Sequence, residues 1–92
     1  MDDRRSQARA LLATALSEVE AELAAPRHEL CPKQLCTCRD TLRGYLDALD
    51  RDALPPRRDR AEPLCRLVAD GWPFDLPLGA LVLRAERAFR NA

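Results

Sequence analysis

The sequence contains no isoleucine and only three valines, three threonines and four aromatic residues among its 92 positions. Sheets fill their pleated faces with β-branched and aromatic side chains, so that shortage argues against a β-rich fold. Leu, Ala, Arg and Glu dominate instead, and all four are good helix formers. Neither sign of charge is in excess, since 15 basic and 15 acidic residues cancel to zero. Such a balance speaks against a nucleic-acid partner held by a broad electrostatic footprint, and equally against an acidic disordered tail.

Long hydrophobic runs are missing too. The stretch "GWPFDLPLGALVL" is the longest nearly uncharged one, and it is too short and too interrupted by proline to span a bilayer. The amino terminus "MDDRRSQAR" opens on acids and has no apolar stretch, unlike a secretory signal. The four cysteines are therefore expected to be reduced thiols in a cytoplasmic protein. Paired carboxylates in a pocket, a Gly-rich phosphate loop, a G-x-S-x-G elbow and an H-E-x-x-H helix are all absent. "HELC" at residues 28–31 begins like the last of these but lacks a second His. An enzyme is not expected.

What is present is helical periodicity. Ala8, Leu11, Leu12, Ala15, Leu16, Val19 and Leu23 recur at three- and four-residue steps, with Glu18, Glu20 and Glu22 opposite them. Ser6 is a suitable N-cap, and Pro26 ends the run because it lacks the amide the next turn needs. A second stripe runs through Leu35, Cys38, Leu42, Tyr45, Leu46 and Leu49 and dissolves into "DRDALPPRRDR", an exposed connection. Gly44 lies inside this run and weakens it by about 1 kcal/mol relative to Ala. The third run is short, with Leu64, Leu67 and Val68 as its apolar edge. Asp59 and Glu62 have capping-box spacing, Pro63 suits a first turn and Gly71 suits a C-terminal cap.

The last run carries Leu78, Leu81, Val82, Ala85 and Phe89 on one stripe, with Leu76 and Leu83 to its other side. A helix apolar over so much of its circumference is either central in a bundle or shared with a second chain. The expectation is one all-α domain over 1–92, a small up-down four-helix bundle with helices at about 6–25, 32–51, 60–70 and 76–90. A three-helix core with an accessory turn is the competing architecture. At fold level only, such a bundle resembles the HEPN-type domains of bacterial nuclease and toxin systems. Their catalytic Arg, separated from a His by four to six intervening residues, is missing, because Ala21, Glu22 and Leu23 occupy those positions before His28. The resemblance therefore implies no activity.

One stretch hints at chemistry. "HELCPKQLCTCR" packs His28, Cys31, Cys36 and Cys38 into twelve residues, as H-x-x-C-x-x-x-x-C-x-C. Zinc takes four Cys or His ligands at tetrahedral angles, so the residue types suit it. The spacing does not match a finger or ribbon, and Cys65 stands apart in the third run. The position of the helix start decides. If Cys31 caps the second helix and Pro32 opens it, Cys36 and Cys38 point about 200° apart, and Cys31 lies about 10 Å along the axis from Cys38. Cys38 is then a core side chain between Leu35 and Leu42. If the helix starts late, with Thr37 as N-cap and Asp40 three residues on, the loop from His28 to Cys36 has room to fold around a metal. Leu35 continues the apolar stripe and favours the early start. A reactive Cys31 thiol at a helix N-terminus, with His28 as its base, is a further and weaker reading.

Arg84, Arg87 and Arg90 recur on the last helix, and Arg57, Arg58 and Arg60 cluster in the connection before the third. Asp59, Glu62 and Glu86 interleave with them, which suits a solvated face with local ion pairs. Arg39 and Arg43 alternate with Asp40 and Asp47 in the same manner. Trp72 and Phe74 flank Pro73 at a turn; Trp72 is expected to close one end of the bundle. The functional expectation is a non-catalytic interaction or adaptor module, a homodimer through the last helix, without a cofactor. The alternative is a zinc- or thiol-dependent module built on His28, Cys31, Cys36 and Cys38.

Overall fold

Each of the four apolar stripes becomes a helix in the computed structural model, which describes residues 3–56 and 60–92. Helix α1 spans Asp3–Ala24, α2 spans Pro32–Asp50, α3 spans Pro63–Gly71 and α4 spans Pro77–Asn91. In α1 the row Ala8, Leu12, Ala15 and Val19 is wholly removed from solvent. The helix starts ahead of the expected Ser6 cap, and Asp3 in its first turn complements the helix dipole. In α2 the row Leu35, Cys38, Leu42 and Leu49 is buried, which is the early-start geometry with Cys31 at the cap and Pro32 first. Asp52, with φ of 53°, ends α2 in the left-handed region; Ala53 N–H reaches the Ala48 carbonyl at 2.8 Å and Asp52 N–H that of Leu49 at 3.3 Å.

The helices form a ring in which α1 packs on both α2 and α4, α4 also packs on α3, and α3 leans more lightly on α2. Contacts between ends set the directions. Arg5 pairs with Asp52, and Arg9 Nε lies 3.2 Å from Asp50, so the start of α1 meets the end of α2. Arg60, just ahead of α3, donates to the Phe89 and Arg90 carbonyls at 3.2 and 2.9 Å, so the start of α3 meets the end of α4. Neighbours are antiparallel, as the sequence indicated, and α3 is the short member.

Leu76 and Leu83 have a structural explanation. Both line a groove between α3 and α4, with Leu76 buried and Leu83 half-buried. The broad apolar face of α4 thus arises because that helix packs on α1 with one side and α3 with the other. Trp72 closes the end of the bundle, 6 % exposed, and its indole N–H has no acceptor among the described residues. Gly44 borders open space, so it is tolerated in α2 without serving a close helix approach. At Gly79, by contrast, an added Cβ would come within 3.1 Å of Val68, so glycine lets α3 approach α4 closely.

Two sequence expectations need correction. Glu22 was placed on the solvent face of α1 and Glu86 among the surface charges of α4; both are buried, at 1 and 2 % exposed. Helix α3 opens at Pro63 with Glu62 at its cap position, where Glu62 makes no side-chain cap bond and pairs with Arg90 at 2.8 Å; the Asp59 half of the expected capping box falls outside the described residues. Asp59, Arg57 and Arg58 lie outside the described residues. No helix among those described is long and apolar enough to cross a membrane.

Candidate functional site

The early start of α2 disperses the sulfur cluster. Cys31 occupies the exposed cap position, Cys36 sits half-buried on the flank of α2, and Cys38 is fully buried in the leucine row. Cys65 is exposed on α3. Thr37 lies inside α2, where its carbonyl accepts a 2.8 Å hydrogen bond from Thr41 Oγ1. Among the described residues, no three His, Cys, Asp or Glu side chains come together to hold a metal ion. His28, Cys31, Cys36 and Cys38 are therefore not brought together as a zinc-ligand set in this arrangement.

Burial, reinforced by the Glu86 charge, pushes the Cys38 thiol up to about 12. A thiol so placed is inert filling between Leu35 and Leu42. Maleimide labelling of the reduced protein followed by mass spectrometry should therefore modify Cys31 and Cys65 readily. Cys36 should lag, and Cys38 should react only once denaturant opens the core. Prompt modification of Cys38 in the native protein would contradict this placement.

His28 meets a carboxylate, not a cysteine. Glu22, in the last turns of α1, accepts the main-chain N–H groups of Arg27 and His28 at 2.9 and 2.8 Å on Oε2. Its Oε1 lies 3.0 Å from His28 Nδ1. A carboxylate oxygen only accepts here, so Nδ1 carries the proton. Burial alone would raise the Glu22 carboxyl, but the bonds from His28 and Arg27 outweigh it and hold the group below its usual range. The pair borders a cavity of about 240 Å³ lined also by Thr14, Glu18 and Leu81. No cysteine lines that cavity, so the structure does not assemble a Cys–His couple there.

The most exposed apolar surface lies at the turn between α3 and α4. Phe74 is the one large hydrophobic residue that is fully exposed among those described. It stands at a groove of about 320 Å³ whose lining includes Cys65, Ala69, Leu76, Ala80 and Leu83. The sequence had marked Trp72 and Phe74 together. Both border this groove, but Trp72 is buried at its base while Phe74 is fully exposed at its edge.

Glu86 was legible only as a surface charge. It projects from α4 to the start of α3, where Oε2 accepts Leu64 N–H at 2.9 Å and Oε1 accepts Cys65 N–H at 2.8 Å. Tyr45 on α2 donates its hydroxyl to Oε2 at 2.7 Å, and its ring stacks on Phe89 with centroids 4.2 Å apart. The available signal was indirect: α3 opens on Glu62-Pro63 without a Ser, Thr, Asp or Asn directly before it, so its first amides needed an acceptor from elsewhere. A scan against protein-family models gives no match for this chain, and a search of curated proteins gives none either.

Proposed function

We propose that this chain is a non-catalytic, cytoplasmic protein-interaction module that works as a homodimer through the face formed by α3 and α4. The observation that carries the proposal is Phe74, fully exposed beside an apolar groove. A large aromatic side chain in water gains by being seated in a pocket, and such residues anchor interfaces. The same face carries both a knob and a hollow, and a surface that is its own complement suits a closed two-fold dimer. The interface centres on the turn and the groove, with α4 contributing Ala80 and Leu83. The free state of all four thiols accords with a reducing compartment.

Sedimentation equilibrium tests the proposal. The parent chain should dimerise reversibly, and Phe74→Ala should weaken association by about 30-fold while leaving the helical circular dichroism unchanged. A parent that stays monomeric at high concentration, or a Phe74→Ala variant that associates like the parent, would overturn it.

A further inference from the structure

Away from the Phe74 groove, the cavity of about 240 Å³ between α1 and α4 has two walls of different chemistry. Thr14, Glu18 and Glu22 follow one another at four-residue steps on α1, so they form one polar row with a rise of about 6 Å between neighbours. Leu78 and Leu81, in the first turns of α4, line the other side and are half-buried. Arg27 and His28 close the end where Glu22 stands. Pockets for drug-sized ligands enclose about 300–1,000 Å³, so this one suits a smaller molecule.

Glu22 is fully engaged. One oxygen takes the Arg27 and His28 amides and the other takes His28 Nδ1, so a buried carboxylate fixes the imidazole in one orientation. With the proton on Nδ1, Nε2 of the neutral ring is an acceptor, and it has no donor among the described residues. The Glu18 carboxylate, the Thr14 hydroxyl and the Arg27 guanidinium border the same cavity, also without a side-chain partner among the described residues. A lone exposed charge is common on any protein surface. Here the charges share one cavity with an oriented histidine and an apolar wall, which is the composition of a small-molecule site: a surface for the body and a few placed polar groups for the head.

The polar groups define that head. Glu18, Thr14 and His28 Nε2 accept hydrogen bonds and suit an ammonium group, whereas Arg27 donates and suits a carboxylate. Glu18 lies one helical turn from Glu22, and Glu22 holds the Arg27 amide, so the two opposite charges border neighbouring parts of the cavity. An ammonium and a carboxylate on a single carbon, each reaching out by a hydrogen bond of about 2.9 Å, span one turn. A third, apolar substituent on that carbon then meets the leucine wall.

We propose that the cavity between α1 and α4 binds a free α-amino acid with an apolar side chain, its ammonium on Glu18 and His28 Nε2, its carboxylate on Arg27 and its side chain on Leu78 and Leu81. This goes beyond the self-association proposed above and does not rest on it, because that interface uses the side of α4 that faces α3.

Heteronuclear NMR titration of the full chain with L-leucine tests it. Leucine at millimolar concentration should shift the Thr14, Glu18, His28, Leu78 and Leu81 amides in a saturable manner. Leucinamide lacks the carboxylate, isocaproate lacks the ammonium and glycine lacks the side chain, and each should bind about tenfold more weakly or worse. Glu18→Gln and Arg27→Gln alter exposed side chains and should leave the helical circular dichroism unchanged. Glu18→Gln should erase the preference for leucine over isocaproate, and Arg27→Gln the preference for leucine over leucinamide. The absence of saturable shifts with leucine would overturn the proposal, as would preferences that survive both substitutions. Leucinamide binding as tightly as leucine would overturn it too, since the cavity would then read a peptide's amino end and not a free amino acid.

Discussion

Glu86→Ala is expected to destabilise the protein by about 3–5 kcal/mol, because it strands three neutral donors at about 1–3 kcal/mol each and water recovers part of that loss. A chain of this length is stabilised by about 5–14 kcal/mol in total, so the loss is a large share. At about 4–8 °C per kcal/mol the melting temperature should fall by more than 10 °C. The cause is local. Three donors from two helices converge on one carboxylate: the Leu64 and Cys65 amides at the start of α3, and the Tyr45 hydroxyl from α2. Removing the acceptor strands the amides at the first turn of a helix that has no cap of its own. It also strands the Tyr45 hydroxyl, whose ionisation is already pushed far up by burial and by its bond to Glu86.

The size of the loss distinguishes a cap from a generic core defect. Tyr45→Phe removes one donor and keeps the ring on Phe89, so it should cost about 1 kcal/mol. Glu86→Gln keeps one acceptor oxygen but turns an amide N–H₂ toward main-chain donors, so it should fall between the two. Urea titrations of the three variants read this order directly. If Glu86→Ala cost no more than Tyr45→Phe, the tie between α3 and α4 would be slack.

The contrast between Glu86 and its neighbours shows what the sequence made legible. Positions of α1, α2 and α4 were readable because leucine and alanine recur at helical spacing, and burial follows that period directly. Cys38 was readable for the same reason, lying on the row of Leu35 and Leu42. Glu22 and Glu86 were not, since a carboxylate between arginines or other glutamates looks the same whether it faces water or a helix end. Only the packed structure shows that Glu22 and Glu86 are the acceptors for the Arg27, His28, Leu64 and Cys65 amides. The division of labour at the turn was likewise hidden. "WPF" gives two aromatics equal claim to the core, and the packing of α3 against Gly79 decides that Trp72 goes in while Phe74 stays out.

The two buried acids do the same work at opposite ends of the bundle, and this gives the second large effect an acid signature. Glu22→Ala should cost about 2–3 kcal/mol at neutral pH; two loop amides and the His28 ring lose their acceptor, although partial exposure lets water recover some of them. The pH dependence has a definite sign. The Glu22 carboxyl sits below the ordinary glutamate value of about 4.5 in the folded protein, so between the two values the unfolded chain binds more protons. Its contribution is complete above about pH 4.5, and it disappears as pH falls through the lower folded value. Glu22→Gln isolates this contribution, because every other carboxylate titrates alike in both proteins. Urea midpoints should show the parent ahead of the variant at pH 6 and the two converging as pH falls well below 4.5. A gap that persists unchanged into acid would mean that the ionised form of Glu22 is not what anchors the loop between α1 and α2.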